Sequence, residues 1–477
     1  MSNPGCGLAG LPGVPAQSAP VVIDSTSIGG TYVGSSGSVP AGAIVNLLED
    51  LTIVVENDLI IEGAIVSQPH TSRGAQLLRI LLGQLPSQTP VAKLLSQILN
   101  PGPLNVTLVS LKGKVQIAPS GHIDLGFTPK GDNDFQQSLS ARAVGGDADD
   151  GGYIKIQGVN VDIQGNVRGQ GSGDGGNATA DAAGASGLPA KLLKLFGIGG
   201  DAEATGGNGG AGGDVLLCAD ESIHISGVVG AGYGGLGGVA RAIADVGGPA
   251  TAIAGQGKNG GNVQITGTGP ASVQVFAKGG SMQGGDCDDY PNLLSAEAVG
   301  GSGFEAGGRA KAEGSLGGSG GTVLFSNAVV IELGSCQAGD GAAGGDASAT
   351  GGNGTGIRML NWGSAVQGDG YNGGPATATG GSSGAAGPLP LIPVPPIGTT
   401  QKGKAGYGNQ GGDASAVGGA GSDGLPLRLG GSSGRATAQG GSNGAGVSPG
   451  PPALGILTPP TASTGAPAVS VSQLGKP

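Results

Sequence analysis

The stretch that decides the fold spans residues 212–235 and reads GGDVLLCADESIHISGVVGAGYGG. Two glycines open it, and two short alternations of apolar and other residues follow, at 215–217 and 223–225. Alternation with a period of two is typical of a β-strand that buries one face. The stretch therefore predicts short strands separated by glycine-rich corners.

Related units recur along the chain. Paired glycines precede an apolar alternation at 151–156, 260–265 and 320–325 as well. A second unit, A-x-A-x-G-G, begins at Ala141, Ala202, Ala296, Ala347, Ala376, Ala414 and Ala436. Its period is also two, so methyl groups lie on one face and mostly polar residues on the other. Faces of this kind can pack closely, which predicts a thin core.

Composition separates this chain from ordinary globular enzymes. Gly contributes 107 and Pro 30 of the 477 residues, a share typical of low-complexity or fibrous chains. Glycine does not recur at every third position as in collagen, and 37% hydrophobic residues with 12% charged residues argue against simple disorder. We expect an all-β, Gly/Ala-rich parallel β-helix, that is, a β-solenoid. Polyglycine II packing of stretches such as 206–213 is the structural alternative, and a mixture of the two is open.

The chain divides into four predicted parts. Residues 1–40 form an N-terminal extension, 41–140 hold aliphatic β-helix rungs, 141–446 form the Gly/Ala-rich repeat solenoid, and 447–477 are a Pro-rich tail. Apolar periodicity at 73–100, interrupted by Pro86 and Pro90, predicts a small α-helical hairpin inserted among the aliphatic rungs.

Charge and composition exclude several functions. A net charge of −11 and only six Phe, six Tyr and one Trp argue against a nucleic-acid partner. No apolar run is long enough for a transmembrane span, and no export signal is visible at the N-terminus. The scarcity of rings predicts no aromatic-lined cleft of the kind polysaccharide-active enzymes use. We therefore predict no enzyme.

Aspartates supply the candidate metal ligands. Residues 209–217 fit the calcium-binding nonapeptide G-G-x-G-x-D-x-U-x, but as a single copy, whereas such sites are shared by consecutive turns. We predict no cofactor apart from Ca²⁺, and surface acidity is the alternative explanation of the aspartates. The candidate ligands are Asp147, Asp149, Asp150, Asp214, Asp286, Asp288 and Asp289.

Apolar, proline-rich interruptions supply the candidate assembly residues. Such loops cannot join a strand ladder, and exposed apolar patches often mark protein contacts. Covering the sheet of their own chain is the alternative. The terminal alternation at 468–472 could pair with an open end of its own solenoid or with a neighbouring subunit. The candidates are Leu391, Ile392, Val394, Leu425, Leu427, Leu454, Ile456, Leu457, Val469 and Val471.

The rungs at 212–235 and 320–345 resemble Gly-rich right-handed parallel β-helix surface proteins, particularly the filamentous-haemagglutinin-like adhesins. The A-x-A-x-G-G segments are poorer in large aliphatics, and in this they also resemble mycobacterial Gly-Ala-rich repeat proteins and phage tail-tip adhesins built from polyglycine helices. The resemblance implies an extracellular or cell-surface, non-catalytic role.

Three functions fit the sequence. We expect first a structural protein whose solenoid subunits self-assemble into a surface filament or sheath, so that the partner is the chain itself. The second is a non-polymerising adhesin, cellular or phage-borne, that binds surface glycans. The third is a polysaccharide-active enzyme.

Overall fold

The computed structural model describes residues 13–15, 18–26, 29–67, 102–185, 199–267, 276–278, 294–299, 308–314, 316–326, 335–337, 346–350, 376–379, 403–404, 414–417, 436–439 and 470–473. This part of the chain is all-β and contains no helix. The predicted helical hairpin at 73–100 lies outside the described residues.

Short strands account for its regular structure. The first twelve are β1 (Val21–Val22), β2 (Gly30–Gly34), β3 (Gly37–Val39), β4 (Ile44–Leu47), β5 (Leu51–Val55), β6 (Leu59–Ile61), β7 (Ala64–Ser67), β8 (Val106–Ser110), β9 (Lys114–Ile117), β10 (His122–Asp124), β11 (Asp134–Gln136) and β12 (Ala141–Val144). The next ten are β13 (Ile154–Ile163), β14 (Asn166–Arg168), β15 (Ala178–Asp181), β16 (Ala202–Thr205), β17 (Val215–Ile225), β18 (Val228–Gly230), β19 (Ala240–Ile243), β20 (Ala250–Ile253), β21 (Val263–Gly267) and β22 (Phe276–Lys278). The last ten are β23 (Leu294–Val299), β24 (Ala310–Glu313), β25 (Val323–Ser326), β26 (Ser335–Gln337), β27 (Asp346–Thr350), β28 (Ala376–Thr379), β29 (Gly403–Lys404), β30 (Ala414–Val417), β31 (Ala436–Gln439) and β32 (Ser470–Gln473).

Within the described residues these strands form four sheets of eleven, eight, seven and six strands, which we number 1 to 4. Sheet 1 includes β13, β17, β21 and β25, and sheet 2 runs from β4 to β29. Sheet 3 runs from β11 to β32 and sheet 4 from β12 to β31. Neighbouring strands in all four sheets are parallel, as between β13 and β17 in sheet 1 and β12 and β16 in sheet 4.

The chain visits the sheets in a repeating order. From β13 in sheet 1 it passes through β14, β15 and β16 in sheets 2, 3 and 4, and it returns to sheet 1 at β17. The two sheet 1 strands lie in register, with Ile154 opposite Val215 and Ile163 opposite Ile225. The circuit repeats from β17 to β21 and from β21 to β25. Like residues are therefore stacked on like residues.

The described residues form two cores of different chemistry. Large aliphatic side chains of sheets 1 and 2, such as Ile156, Val167 and Ile223, form one buried cluster. The buried cluster of sheets 3 and 4 consists of alanines alone, including Ala180, Ala204 and Ala242. As the A-x-A-x-G-G pattern predicts, the residues between these alanines, such as Arg142 and Glu203, are exposed. Sheets 3 and 4 begin at β11 and β12, and the predicted division into four parts stays a prediction.

Two columns of glycine-rich segments join the cores. The first column links sheet 2 to sheet 3 and includes 169–177 and 231–239; the second links sheet 4 to sheet 1 and includes 145–153, 206–214 and 254–262. Hydrogen bonds within a column recur at every third residue. The N–H groups of Gly169, Ser172 and Gly175 donate to the carbonyls of the next circuit, Gly230, Tyr233 and Leu236, each at 2.8 Å.

The columns also bond directly to each other. The N–H of Gly176 donates to the carbonyl of Gly146 at 2.8 Å, and the N–H of Gly238 donates to that of Gly207 at 2.7 Å. Side-chain oxygens accept from a further set of N–H groups, as Asp174 Oδ1 does from Leu236 at 2.9 Å. The backbone donors of these segments are thus paired without a conventional strand ladder.

Candidate functional site

A groove of about 400 Å³ lies on the outward face of sheet 2. Its walls come from β10, β14 and β18, whose registers place His122, Asn166 and Val228 in one row and Asp124, Arg168 and Gly230 in the next. Tyr233 lies beyond the end of β18 and also lines the groove. Because strand residues alternate between faces, the aliphatic Ile123, Val167 and Val229 between these rows point into the core and hold the groove in place.

Arg168 is the central cation of the groove. Its guanidinium carbon lies 4.7 Å from the ring centroid of Tyr233 and 5.5 Å from that of Phe127. The two rings are nearly parallel, with centroids 6.2 Å apart and 12° between their planes. Cation–π attraction to both rings orients the planar guanidinium, whose edge carries N–H donors suited to a carboxylate.

Asp124 is the acidic neighbour of Arg168. Its Oδ2 lies 4.0 Å from Arg168 Nη1, and both side chains are about two-fifths exposed. A partly exposed pair at this separation is weak, because water screens the charges. The guanidinium is therefore held chiefly by the rings.

A glycine makes room for this arrangement. Phe127 and Gly171 pair as a parallel bridge, and a Cβ on Gly171 would lie 2.3 Å from the Phe127 ring. The N–H of Ser172 donates to the carbonyl of Tyr233, so Phe127, Gly171 and Tyr233 follow one another in successive circuits. The missing side chain at Gly171 lets the Phe127 ring fold over the backbone toward Tyr233.

Composition alone predicted no aromatic-lined cleft, and this stays a prediction, because Tyr233 is the one Phe, Tyr or Trp among the residues that line the groove. Two of the few rings converge on one guanidinium because they belong to circuits that stack. The signal available in the sequence was positional: Phe127 and Tyr233 stand at the same offset from the ends of β10 and β18. Reading it requires knowing that these two strands occupy the same sheet.

Three of the predicted calcium ligands accept backbone hydrogen bonds from the next circuit. Asp147 Oδ1 and Asp150 Oδ1 accept from the N–H groups of Asn208 and Ala211, both at 2.6 Å. Asp214 Oδ1 accepts from the N–H of Asn262 at 2.7 Å. Each aspartate therefore has a structural role at the rim of the second column.

The other four calcium candidates fall in two groups. Asp149 is exposed, and Asp286, Asp288 and Asp289 lie outside the described residues. Across the part of the chain that the structure describes, no three His, Cys, Asp or Glu residues form a group that could hold a metal ion. Calcium binding stays a prediction.

Of the predicted assembly residues, Val471 falls in a described strand. It lies in β32, opposite Ser415 of β30, so the terminal alternation pairs with sheet 3 of its own chain. The other candidates lie outside the described residues: Leu391, Ile392, Val394, Leu425, Leu427, Leu454, Ile456, Leu457 and Val469.

Two further findings bear on the setting of the site. Cys218 on β17 is buried and disulfide-bonded.

Where the structure describes the chain, no helix is long and apolar enough to cross a membrane.

Comparisons with known proteins return no relative. No protein-family model matches the chain, and neither a curated protein nor a solved structure is significantly similar to it.

Proposed function

We propose that this chain is an extracellular structural protein, a β-solenoid with polyglycine II segments, whose copies stack end to end into a surface filament or sheath. The repeating circuit through four parallel sheets supports the solenoid. The three-residue hydrogen-bond period of the glycine columns supports polyglycine II packing. The role is non-catalytic.

Open sheet edges carry the proposal of assembly. Among the described residues, each sheet ends in strands that pair on one side only: β1, β2 and β25 in sheet 1, β4 and β29 in sheet 2, β11 and β32 in sheet 3, and β12 and β31 in sheet 4. An unpaired edge is a template for another strand. Since every pairing between the described strands is parallel, a second copy stacked along the same axis could continue all four sheets, and such a head-to-tail contact propagates into a filament.

Residue types along sheet 3 favour this stacking. One register row holds Phe135 of β11 at one edge and Val471 of β32 at the other. Between them stand the polar residues Thr179, Arg241, Glu297, Ser348 and Ser415. Phe135 is 61% exposed. A second copy stacked on β11 would bring Val471 of one copy next to Phe135 of the other.

The disulfide at Cys218 supports the extracellular location, because disulfides persist in oxidising compartments. The adhesin function is the second candidate, and the groove around Arg168 favours it.

Negative-stain electron microscopy and sedimentation velocity of the full chain test the assembly. We expect filaments one subunit wide. Phe135→Lys should raise the concentration needed for assembly about tenfold, equivalent to roughly 1.4 kcal/mol, because a lysine at a strand edge opposes pairing. Thr179→Lys, at the same register inside the sheet, is the matched control. Monodisperse monomers at high concentration, or equal effects of the two variants, would contradict the proposal.

A further inference from the structure

We infer that the groove on sheet 2 binds a linear acidic polysaccharide, with one carboxylate per disaccharide, laid along the stacking axis. This goes beyond the structural role proposed above and rests on different residues. Three features of sheet 2 support it: the charge of the register row, the spacing of its basic positions along the sheet, and the orientation of Arg168.

The register row that contains Arg168 is basic. In successive strands of sheet 2 it reads Asp124, Arg168, Gly230, Lys278, Gln337 and Lys404. From Asp124 to Lys404 it holds three cations and one acid, in a chain with 22 basic and 33 acidic residues. The neighbouring row of His122, Asn166 and Val228 contains no acid. A basic row on an acidic protein selects an anionic ligand.

The cations recur at every second strand. Parallel strands lie about 4.8 Å apart, so the backbone positions of Arg168, Lys278 and Lys404 are spaced at about 10 Å along the sheet. This distance is comparable to the repeat of an extended disaccharide. A polymer with a carboxylate on alternate sugars has the same repeat as these register positions, whereas an isolated small anion would span only one of them.

The groove around Arg168 suits a sugar ring as well as a carboxylate. The rings of Tyr233 and Phe127 fix the guanidinium plane, which can then donate two parallel N–H bonds to a carboxylate. Val228, 54% exposed, offers apolar surface for the C–H face of a pyranose. Asn166 and His122 supply hydrogen-bonding groups for hydroxyls. Gly230, without a side chain, leaves space beside Arg168 in the groove.

Fluorescence anisotropy of a labelled hyaluronan decasaccharide, titrated with the full chain at low and at physiological salt, tests the inference. We expect saturable binding that weakens with salt. Arg168→Gln should weaken binding about tenfold, because a charge-assisted pair is lost. Lys278→Gln and Lys404→Gln should each weaken it severalfold and reduce the salt dependence.

The matched control is Lys311→Gln, which removes an exposed cation from sheet 4 that pairs with Glu313. Thermal unfolding checks that every variant is folded. Titrating Phe135→Lys in parallel separates the two proposals, because we expect this variant to bind hyaluronan as the wild type does even though its assembly is weakened. Equal binding of neutral dextran, no binding of hyaluronan by the wild type, or equal losses in Arg168→Gln and Lys311→Gln would overturn the inference.

Discussion

The N–H of Gly207 donates to the carbonyl oxygen of Gly176 at 2.9 Å, from one glycine column to the other. A Cβ on Gly207 would lie 1.9 Å from the carbonyl oxygen of Gly146, one circuit earlier in its own column, and a Cβ on Gly145 would lie 2.0 Å from the carbonyl oxygen of Gly176 in the other column. Gly176 and Gly238 are equally crowded, because a Cβ on either residue would lie within 2.0 Å of a carbonyl oxygen. The columns therefore pack backbone against backbone, and glycine is required there by space.

Gly207→Ala tests this packing. The methyl group would collide with the carbonyl of Gly146, whose oxygen accepts the N–H of Gly176, so we expect a loss of at least about 3 kcal/mol in the free energy of unfolding. Urea denaturation measures it. Gly102→Ala is the control, because the nearest atom to its Cβ is Asp149 Oδ2 at 3.9 Å. Similar losses in both variants would show that the backbone preference of glycine, and not the lack of space for a side chain, explains why glycine occupies the columns.

The alanine core predicts that substitutions on the buried and on the exposed face of a sheet 4 strand differ in their cost to stability. Ala204 is fully buried in sheet 4, while its neighbour Glu203 is exposed on the other face of the same strand. Ala204→Leu should destabilise the protein by about 3 kcal/mol, because sheets 3 and 4 are separated only by methyl groups. Glu203→Leu should cost less than about 1 kcal/mol, since it removes only an exposed pair with Arg142 at 3.7 Å. Melting temperatures of the two variants distinguish the faces, and equal losses would contradict the thin core.

Two substitutions at Asp214 distinguish a structural role of this residue from a role as a calcium ligand. Its Oδ1 accepts from the N–H of Asn262, and asparagine also has an Oδ1 that can accept. Asp214→Ala should cost about 1 kcal/mol, whereas Asp214→Asn should keep most of the stability. Melting temperatures with calcium chloride and with a chelator check both variants. A calcium-dependent rise in the wild type that is absent in Asp214→Asn would favour the predicted metal site.

Lys155 predicts a pH dependence. Burial on sheet 1 lowers the pKa of its ammonium below 10.5. At neutral pH the group is charged in both the folded and the unfolded chain, so the full desolvation cost opposes folding. Above the folded-state pKa the ammonium loses its proton and this cost disappears. Lys155→Met should therefore raise the melting temperature most near pH 7, with a gain that shrinks toward pH 10.5. A constant difference across this range would contradict the role of burial.

The sequence alone was sufficient for much of the architecture. The alternation at 154–156 and 215–217 predicted strands, and the A-x-A-x-G-G units predicted strands that bury alanine and expose the residues between. Both follow from local physics, because side chains alternate along an extended backbone. The parallel all-β arrangement follows from the repetition of these units.

Only the tertiary structure decided which residues meet. Phe127, Arg168 and Tyr233 belong to three different circuits, and they meet only because β10, β14 and β18 stack in register. The role of Asp147 likewise depends on Asn208, which lies one circuit later. Periodicity is a local property of the chain, whereas register between circuits depends on the length of every connection. The sequence by itself thus determined the strands and their buried faces, and the stacking of circuits decided the groove.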